Sequence, residues 1–235
     1  MDSALHSNTE QFEGSLRCNI RAHDSAVRSI AWHGVQDPVN IVSTGNDGAL
    51  NVHDIRDPFV TMSLLRSRGF LYTCTWPGIT DMLLYVDGEN MCRTMRTTDG
   101  PETGATIKTF DSLGFVWSLS SSLQHTFTAA GTVDGWVKML NTLQKRKKSG
   151  LAVQQILYKL QYDSASNEFR YVDGITPEYW EKNKQDVTYE PFVDMKLNIQ
   201  RIAWNNNRRT SGWVASAASA GLCRIEFVGR GPGWE

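Results

Sequence analysis

The stretch VSTGNDGALNVHDIRDP, residues 42–58, places an apolar segment on each side of a turn made by Asp47 and Gly48. Asp-Gly is a preferred connection between hairpin strands because glycine tolerates a positive φ. The same stretch contains a serine, an imidazole and several carboxylates. Such a cluster is compatible with acid–base chemistry and also with a structural set of hydrogen bonds, so the rest of the chain has to decide between them.

A pattern that begins just before this stretch repeats along the chain. Four short segments of alternating apolar character share it: VRSIAW (27–32), LYTCTW (71–76), FVWSLS (115–120) and IQRIAW (199–204). The first three end 44 residues apart, and the fourth ends 84 residues after the third. A second strand, a glycine turn and a third strand follow each segment, and outer strands are predicted at 60–67, 105–112 and 153–163. This period and strand number predict an all-β WD-repeat β-propeller with about four recognisable blades.

The acid and imidazole cluster has a structural role in this arrangement. In WD repeats a histidine, a serine, a turn aspartate, a tryptophan and a terminal aspartate hydrogen-bond to one another. His53 stands where the tryptophan is usual, so an imidazole N–H would replace the indole donor. A hydrolytic site is the less favoured alternative, because no serine or cysteine nucleophile has a recognisable context. The residues predicted to form the blade networks are His23, Ser43, Asp47, His53, Asp54, Asp87 and Asp134.

The two ends of the pattern indicate an open ring. Residues 14–23 resemble an outer strand without preceding inner strands, and residues 222–235 resemble a third strand with nothing after it. Either the first closes a small ring, or the four blades are part of a larger propeller, and we favour the larger propeller. The predicted organisation is a polar N-terminal tail (1–15), the propeller region (16–228) and a C-terminal tail (229–235).

The step of 84 residues predicts an insertion at the propeller rim over residues 164–198. Thr176 and Pro177 are typical of a helix start, with threonine as the cap and proline at the first helical position. A hairpin and a short helix are therefore favoured over a hidden fifth blade. Tyr179 and Trp180 are candidate partner contacts, with a tolerated loop as the alternative.

Composition excludes several functional classes for the chain as a whole. The 235 residues carry 24 Lys+Arg against 25 Asp+Glu, so nothing in the overall charge favours nucleic acid or an anionic membrane. Solvated loops are favoured over local phosphate contact at the two basic clusters, which are Lys145, Arg146, Lys147, Lys148, Arg208 and Arg209. No CxxC, Walker A or HExxH motif occurs, and no apolar run approaches the ~18 residues of a membrane span. No metal, cofactor, membrane or small-molecule substrate is predicted.

Four segments together resemble one particular family. RAHDSAVRSIAW, VSTGNDGALNVHDIRDP, GFVWSLSSS and GWVASAASAGLCRIEF occur in this order. Across residues 16–228 they resemble the C-terminal propeller of the WD-repeat subunit, tau-91 type, of the RNA polymerase III transcription factor TFIIIC. The family's protein normally has a longer N-terminal region and more blades.

The resemblance implies a nuclear, non-enzymatic scaffold. Its partners would be a second propeller subunit and the large subunit that binds the B-box, on tRNA and related genes. DNA would be part of that complex, with direct contact by this chain left open. The alternative is a general WD-repeat adaptor in another nuclear or cytoplasmic complex.

Overall fold

The computed structural model describes residues 18–34, 38–78, 80–88, 91–97, 107–111, 115–145, 152–176 and 194–228. Within these ranges the chain forms antiparallel sheets and no α-helix, with one short 3-10 turn at Met195–Leu197. The predicted all-β class is therefore confirmed.

The first two sheets each contain four strands in sequential order. Sheet 1 consists of β1 (Val27–Trp32), β2 (Asn40–Gly45), β3 (Ala49–Asp54) and β4 (Asp57–Arg66). Sheet 2 consists of β5 (Thr73–Thr75), β6 (Met82–Val86), β7 (Met91–Arg96) and β8 (Ile107–Asp111). In both, the repeated segment forms the first strand and the predicted outer segment forms the fourth.

The third and fourth sheets depart from four strands in opposite directions. Sheet 3 has five: β9 (Val116–Ser121), β10 (Phe127–Thr132), β11 (Trp136–Lys145), β12 (Ala152–Asp163) and β13 (Glu168–Asp173). Sheet 4 has three: β14 (Ile199–Trp204), β15 (Trp213–Ala218) and β16 (Cys223–Phe227). Strand β13 lies in the segment predicted as a rim insertion and pairs with β12, extending the outer edge of sheet 3.

The first strands of the four sheets lie beside one another in the order β1, β5, β9, β14. Short hydroxyl side chains connect them. The Thr75 hydroxyl accepts from the N–H of Ser121 at 3.1 Å, and the Ser118 hydroxyl accepts from the N–H of Ile202 at 3.0 Å. The Ser120 hydroxyl accepts from the N–H of Trp204 at 2.9 Å, so Ser120 faces the next sheet and the expectation that it takes the tryptophan position is wrong by one residue; Ser121 holds that position. The repeated segments therefore form the inner strands of adjacent blades.

Apolar side chains fill the space between successive sheets in three separate clusters. Val42 and Val52 of sheet 1 meet Trp76 of sheet 2, and equivalent clusters lie between sheets 2 and 3 and between sheets 3 and 4. The last junction is especially close at Gly131, where a Cβ atom would lie 2.6 Å from Cγ2 of Ile199. A side chain at residue 131 would therefore push β14 away from β10.

The turn chemistry follows the predicted pattern at some positions and departs from it at one. Gly48 and Gly135 have φ values of 73° and 86°, as the Asp-Gly turns predict. Gly221 likewise has a φ of 78°. Gly88 does not adopt a positive φ, so the predicted Asp87-Gly88 hairpin turn is not formed in that way.

The outer strand expected at residues 14–23 is not found in the described part of that segment. Within the described part of segment 14–23, residues 18–23 form no strand. They lie over sheet 1 instead, where the Asn51 amide donates to the carbonyl of Ala22 at 2.7 Å. Hydrogen bonds with side chains of sheet 1 therefore hold residues 18–23, where pairing with another strand was expected. The helix predicted from Pro177, with Tyr179 and Trp180, lies outside the described residues.

The described ranges contain neither a metal-binding cluster nor a membrane-spanning helix. No group of three or more His, Cys, Asp or Glu side chains there is arranged to hold a metal ion. No helix in those ranges is both long and apolar enough to cross a bilayer. The four cysteines, Cys18, Cys74, Cys92 and Cys223, are free.

Candidate functional site

The predicted cluster in sheet 1 forms a continuous line of hydrogen-bonded side chains. The Nδ1 atom of His23 lies 2.9 Å from Oδ1 of Asp47, and its Nε2 atom lies 2.8 Å from Oγ of Ser43. On the other side of Ser43, Nε2 of His53 lies 2.8 Å from the same hydroxyl. The line ends at Thr61, whose Oγ1 is 3.2 Å from Nδ1 of His53.

Strand register explains why these side chains meet. His53 on β3 pairs with Ile41 on β2 and with Thr61 on β4, so all three residues share one face of sheet 1. Ser43 lies two residues along β2 from Ile41 and therefore points to the same face. A diagonal neighbour of this kind is within reach of a long side chain, which places Ser43 beside the His53 ring.

One set of tautomers satisfies every bond in the line. Asp47 accepts the Nδ1–H of His23, which leaves Nε2 of His23 free to accept the Ser43 hydroxyl proton. Ser43 then accepts the Nε2–H of His53, and Nδ1 of His53 accepts the Thr61 hydroxyl proton. His53 thus supplies the N–H that a tryptophan supplies in other WD repeats.

The surroundings hold the titratable groups of the line in defined charge states. Burial alone would raise the pKa of Asp47, but bonds from the Ala49 N–H, the His23 ring and the Asp24 N–H outweigh it, so the pKa lies below its ordinary value. Burial lowers the pKa of His53, and the nearby His23 ring lowers it further. Asp47 is therefore held as a carboxylate and His53 as a neutral ring.

The order Asp47–His23–Ser43 matches that of a hydrolase triad, but its setting differs. Ser43 is only 2 % exposed, and its hydroxyl is engaged by two imidazole rings. A nucleophile needs access to a substrate carbonyl, and this hydroxyl lies between the rings of His23 and His53. The geometry suits a clamp that joins the N-terminal segment, the β2–β3 turn and three strands.

The remaining predicted network residues lie apart from this line. Asp54 pairs with Arg56 at 2.6 Å, and hydrogen bonds from that guanidinium lower the pKa of Asp54 to about 2. In sheet 2, Asp87 accepts from Nε of Arg93 at 2.5 Å, whereas in sheet 3 the Thr132 hydroxyl donates to Asp134. Each of these three carboxylates therefore stabilises the strand connection in or beside which it lies.

Sequence reasoning missed two contributors to the packing of these sheets. Thr61 ends the line of hydrogen bonds because it lies opposite His53 in the β3–β4 pair. The sequence does not show which residues of these two strands pair, so it could not identify Thr61. Arg224 on β16 lies over the rings of Tyr158 and Tyr171 and donates to Asp173 at 2.6 Å, which fastens sheet 4 to sheet 3. No local motif marks such a contact between sheets.

The three predicted basic residues that the structure describes, Lys145, Arg208 and Arg209, lie at one end of sheets 3 and 4. Arg208 and Arg209 are exposed in the β14–β15 connection. That connection contacts the β9–β10 turn through Ser211 and His125, at 3.0 Å. Lys145 is the last residue of β11 rather than a loop residue, because β11 continues its pairing as far as Ala152 of β12. Arg146, Lys147 and Lys148 lie outside the described residues.

We expect the folded chain to lose stability as pH falls from about 7 towards 5. The pKa of His53 is lower in the folded state than the unfolded value of about 6.5, so the unfolded chain binds the additional proton. The stabilising contribution is complete above pH 6.5 and is lost as pH falls through the folded pKa. Urea unfolding at several pH values measures this slope. His53→Gln, which cannot titrate, should flatten it, and an unchanged slope would exclude His53 as its source.

Comparison with known proteins gives a similar sequence and several similar folds. No family model matches. The chain is 26 % identical over 211 residues to "Transcription factor tau subunit sfc6" of Schizosaccharomyces pombe, a match that covers 88 % of this chain and 35 % of that protein. The chain thus spans about a third of the length of this relative. The similarity confirms the resemblance to the tau-91 type that the motifs predicted.

Solved structures support the fold. The crystal structure of the RRP9 WD40 repeats is 13 % identical with a TM-score of 0.55, covering 86 % of this chain and 49 % of that one. The computationally designed Ika4 protein is 13 % identical with a TM-score of 0.54, covering 90 % of this chain and 96 % of that one. The four sheets are therefore arranged as in WD40 repeats.

Proposed function

We propose that this chain is a non-catalytic scaffold subunit of TFIIIC that supports promoter binding and assembly for RNA polymerase III transcription of tRNA and related genes. The observation that carries the proposal is the similarity to a transcription factor tau subunit along 88 % of the chain. The preserved order of four separate motifs supports it. A nuclear location and a non-enzymatic role follow from the proposal.

The fold supports a role in binding rather than catalysis. The triad-like side chains of sheet 1 are buried and engaged in holding the sheet together. The proposed partners are a second propeller subunit and the large B-box-binding subunit of the same complex. We assign the contact with them to the blade edges and to the insertion 164–198, with Tyr179 and Trp180 as the proposed anchors.

The test is to tag the chain in its own cells, purify it from nuclear extract and identify the proteins that accompany it. Recovery of the other tau subunits and of polymerase III factors is the expected result. A parallel purification of Trp204→Ala, whose last blade junction is disrupted, controls for proteins that adhere to damaged β-sheets. Consistent recovery of a different assembly, such as a chromatin or ubiquitin-ligase complex, would replace the proposal with a general WD-repeat adaptor.

We propose an auxiliary contact with DNA phosphates by the basic residues at the end of sheets 3 and 4. Arg208 and Arg209 are exposed there, and Lys145 ends β11 at the same end of these sheets. Each phosphate contact steepens the fall of log K with log salt by about 0.9. Arg208→Ala combined with Arg209→Ala should therefore flatten the slope of the purified complex by about 1.8. An unchanged slope would assign both arginines to solvent.

A further inference from the structure

Three of the four inner strands contain a β-bulge near their first residue. In β1 the register with β2 shifts at Arg28, which is left as an extra residue without a partner on β2. The same irregularity makes Trp117 the extra residue of β9 and Gln200 that of β14. A bulge turns a side chain away from the regular faces of a sheet, and bulges are frequent beside functional sites.

Sheet 2 follows the same pattern immediately before β5. Tyr72 donates its N–H to the carbonyl of Val86 at 3.1 Å, and Val86 is also the partner of Thr73. Tyr72 and Thr73 therefore oppose one residue of β6, as in a bulge. Tyr72 is thus the counterpart in sheet 2 of Arg28 and Trp117.

The bulge residues of sheets 1, 2 and 3 converge on one another. The guanidinium carbon of Arg28 lies 5.3 Å from the centroid of the Trp117 ring. The Tyr72 ring lies beside the same indole, with 6.1 Å between the ring centroids. Because sheet 2 lies between sheets 1 and 3, the Arg28 side chain spans sheet 2 to reach Trp117.

A third ring completes this cluster. Phe115, two residues before Trp117, meets the edge of Tyr72 with 5.7 Å between centroids and an interplanar angle of 67°. Tyr72 packs against the apolar cluster between sheets 2 and 3, which fixes its ring, whereas Phe115 is 38 % exposed. We call Arg28, Tyr72, Phe115 and Trp117 the bulge site.

The charge of the bulge site is not balanced by a neighbouring carboxylate. Arg28 is exposed and takes part in none of the ion pairs that the described residues form. Arg66 and Arg93, by contrast, lie beside the carboxylates of Asp24 and Asp87. The Trp117 ring contacts the face of the Arg28 guanidinium, whose N–H groups lie in its plane and can donate to an anion.

The site is confined to the first three sheets. At the fourth bulge, Gln200 donates to the Ser219 hydroxyl at 2.9 Å and belongs to the surface of sheet 4. The bulge site uses neither the side of β1 that faces away from sheet 2 nor the far side of sheet 4. Further sheets at either end of the row would therefore leave it in place.

An anion next to an apolar group is the ligand chemistry that matches these four side chains. A carboxylate can accept two parallel N–H bonds from Arg28, and an apolar side chain beside it can pack on Phe115. A strand of nucleic acid fits less well, because a base needs an open ring face on which to stack. Arg28 covers one face of Trp117, and Tyr72 and Phe115 meet edge-on.

We propose that the bulge site binds a segment of a partner protein in which an acidic side chain lies close to an aromatic or large aliphatic one. Arg28 binds the carboxylate, and Trp117 positions the guanidinium by stacking. The rings of Tyr72 and Phe115 pack on the apolar side chain. The proposal concerns the chemistry of the partner segment and does not rest on the proposed function.

Fluorescence anisotropy with labelled synthetic peptides tests the proposal. One panel consists of short Gly/Ser peptides that contain a glutamate and a phenylalanine at different separations, and a matched panel has glutamine in place of glutamate. We expect the purified chain to bind at least one glutamate peptide. Its glutamine counterpart should bind about tenfold more weakly, because a hydrogen bond to a charged group contributes more than a neutral one.

Three variants assign the binding to the named side chains. Arg28→Gln keeps N–H donors without the charge, so it should bind the glutamate and glutamine peptides equally. Phe115→Ala should weaken both by about three- to tenfold. Arg170→Gln removes an exposed arginine on β13, outside the site, and should leave both affinities unchanged. Urea unfolding of each variant verifies that it is folded.

Several results would overturn the proposal. They are the absence of any glutamate peptide bound below about 1 mM, equal affinities for matched glutamate and glutamine peptides, or an Arg28→Gln variant that still distinguishes them. Labelled oligothymidylate is the second probe. If it bound more tightly than every peptide and lost its binding in Arg28→Gln, the site would belong to single-stranded nucleic acid instead. Co-purification with tau subunits is a separate measurement, so none of these results bears on the proposed function.

Discussion

Asp47→Ala is expected to lower the free energy of unfolding by about 3 kcal/mol, a large part of the stability of a typical domain. The Asp47 side chain is 8 % exposed and accepts from the His23 ring and from the backbone N–H groups of Asp24 and Ala49. Alanine would leave those donors without their acceptor, and such groups are costly when water does not reach them. Urea unfolding followed by tryptophan fluorescence measures the change.

Two other carboxylate variants make the result specific. Asp47→Asn retains an oxygen acceptor without the charge, so its loss should be smaller than that of alanine. Asp54→Ala removes an acidic side chain in the same sheet, but its partner Arg56 is exposed and exposed ion pairs contribute little. Its effect should be much smaller than that of Asp47→Ala. Equal effects for the two alanine variants would show that the imidazole line does not hold sheet 1 together.

The strand framework was predictable because two signals agree. Alternation with period two marked the strands, and the 44-residue step fixed which strand is innermost. Sheet 3 shows the limit of the repeat, because without a tryptophan the alignment placed Ser120 at a position that the strand register gives to Ser121. The replacement of tryptophan by His53 was also interpretable, because the position calls for an N–H donor and a neutral imidazole supplies one.

Features that depend on contacts between distant segments were not predictable. Residues 18–23 contain apolar side chains suited to a strand, yet their place over sheet 1 is set by bonds to Asp47, Ser43 and Asn51. The pairing of Arg224 with Asp173 joins residues 51 positions apart and depends on the addition of β13 to sheet 3. The network position of Asp54 was expected from the family pattern, whereas the adjacent Arg56 takes that carboxylate.

Trp204→Ala is expected to lower the free energy of unfolding by about 3–5 kcal/mol. The ring is buried in the cluster between sheets 3 and 4, and its Nε1–H donates to the carbonyl of Ser211 at 2.5 Å. Alanine would therefore leave a cavity at this blade junction and an unpaired carbonyl. Because Ser120 bonds to the backbone N–H of residue 204, that contact persists in the variant and the loss reports side-chain packing.

Trp32→Ala is the matched comparison, since it removes the same side chain from the same position of the repeat. Trp32 is half-exposed on β1, so its loss should cost less than about 1.5 kcal/mol. Urea unfolding of the two variants side by side measures the difference. Equal losses for Trp32→Ala and Trp204→Ala would show that the Trp204 loss does not come from the packing between sheets 3 and 4.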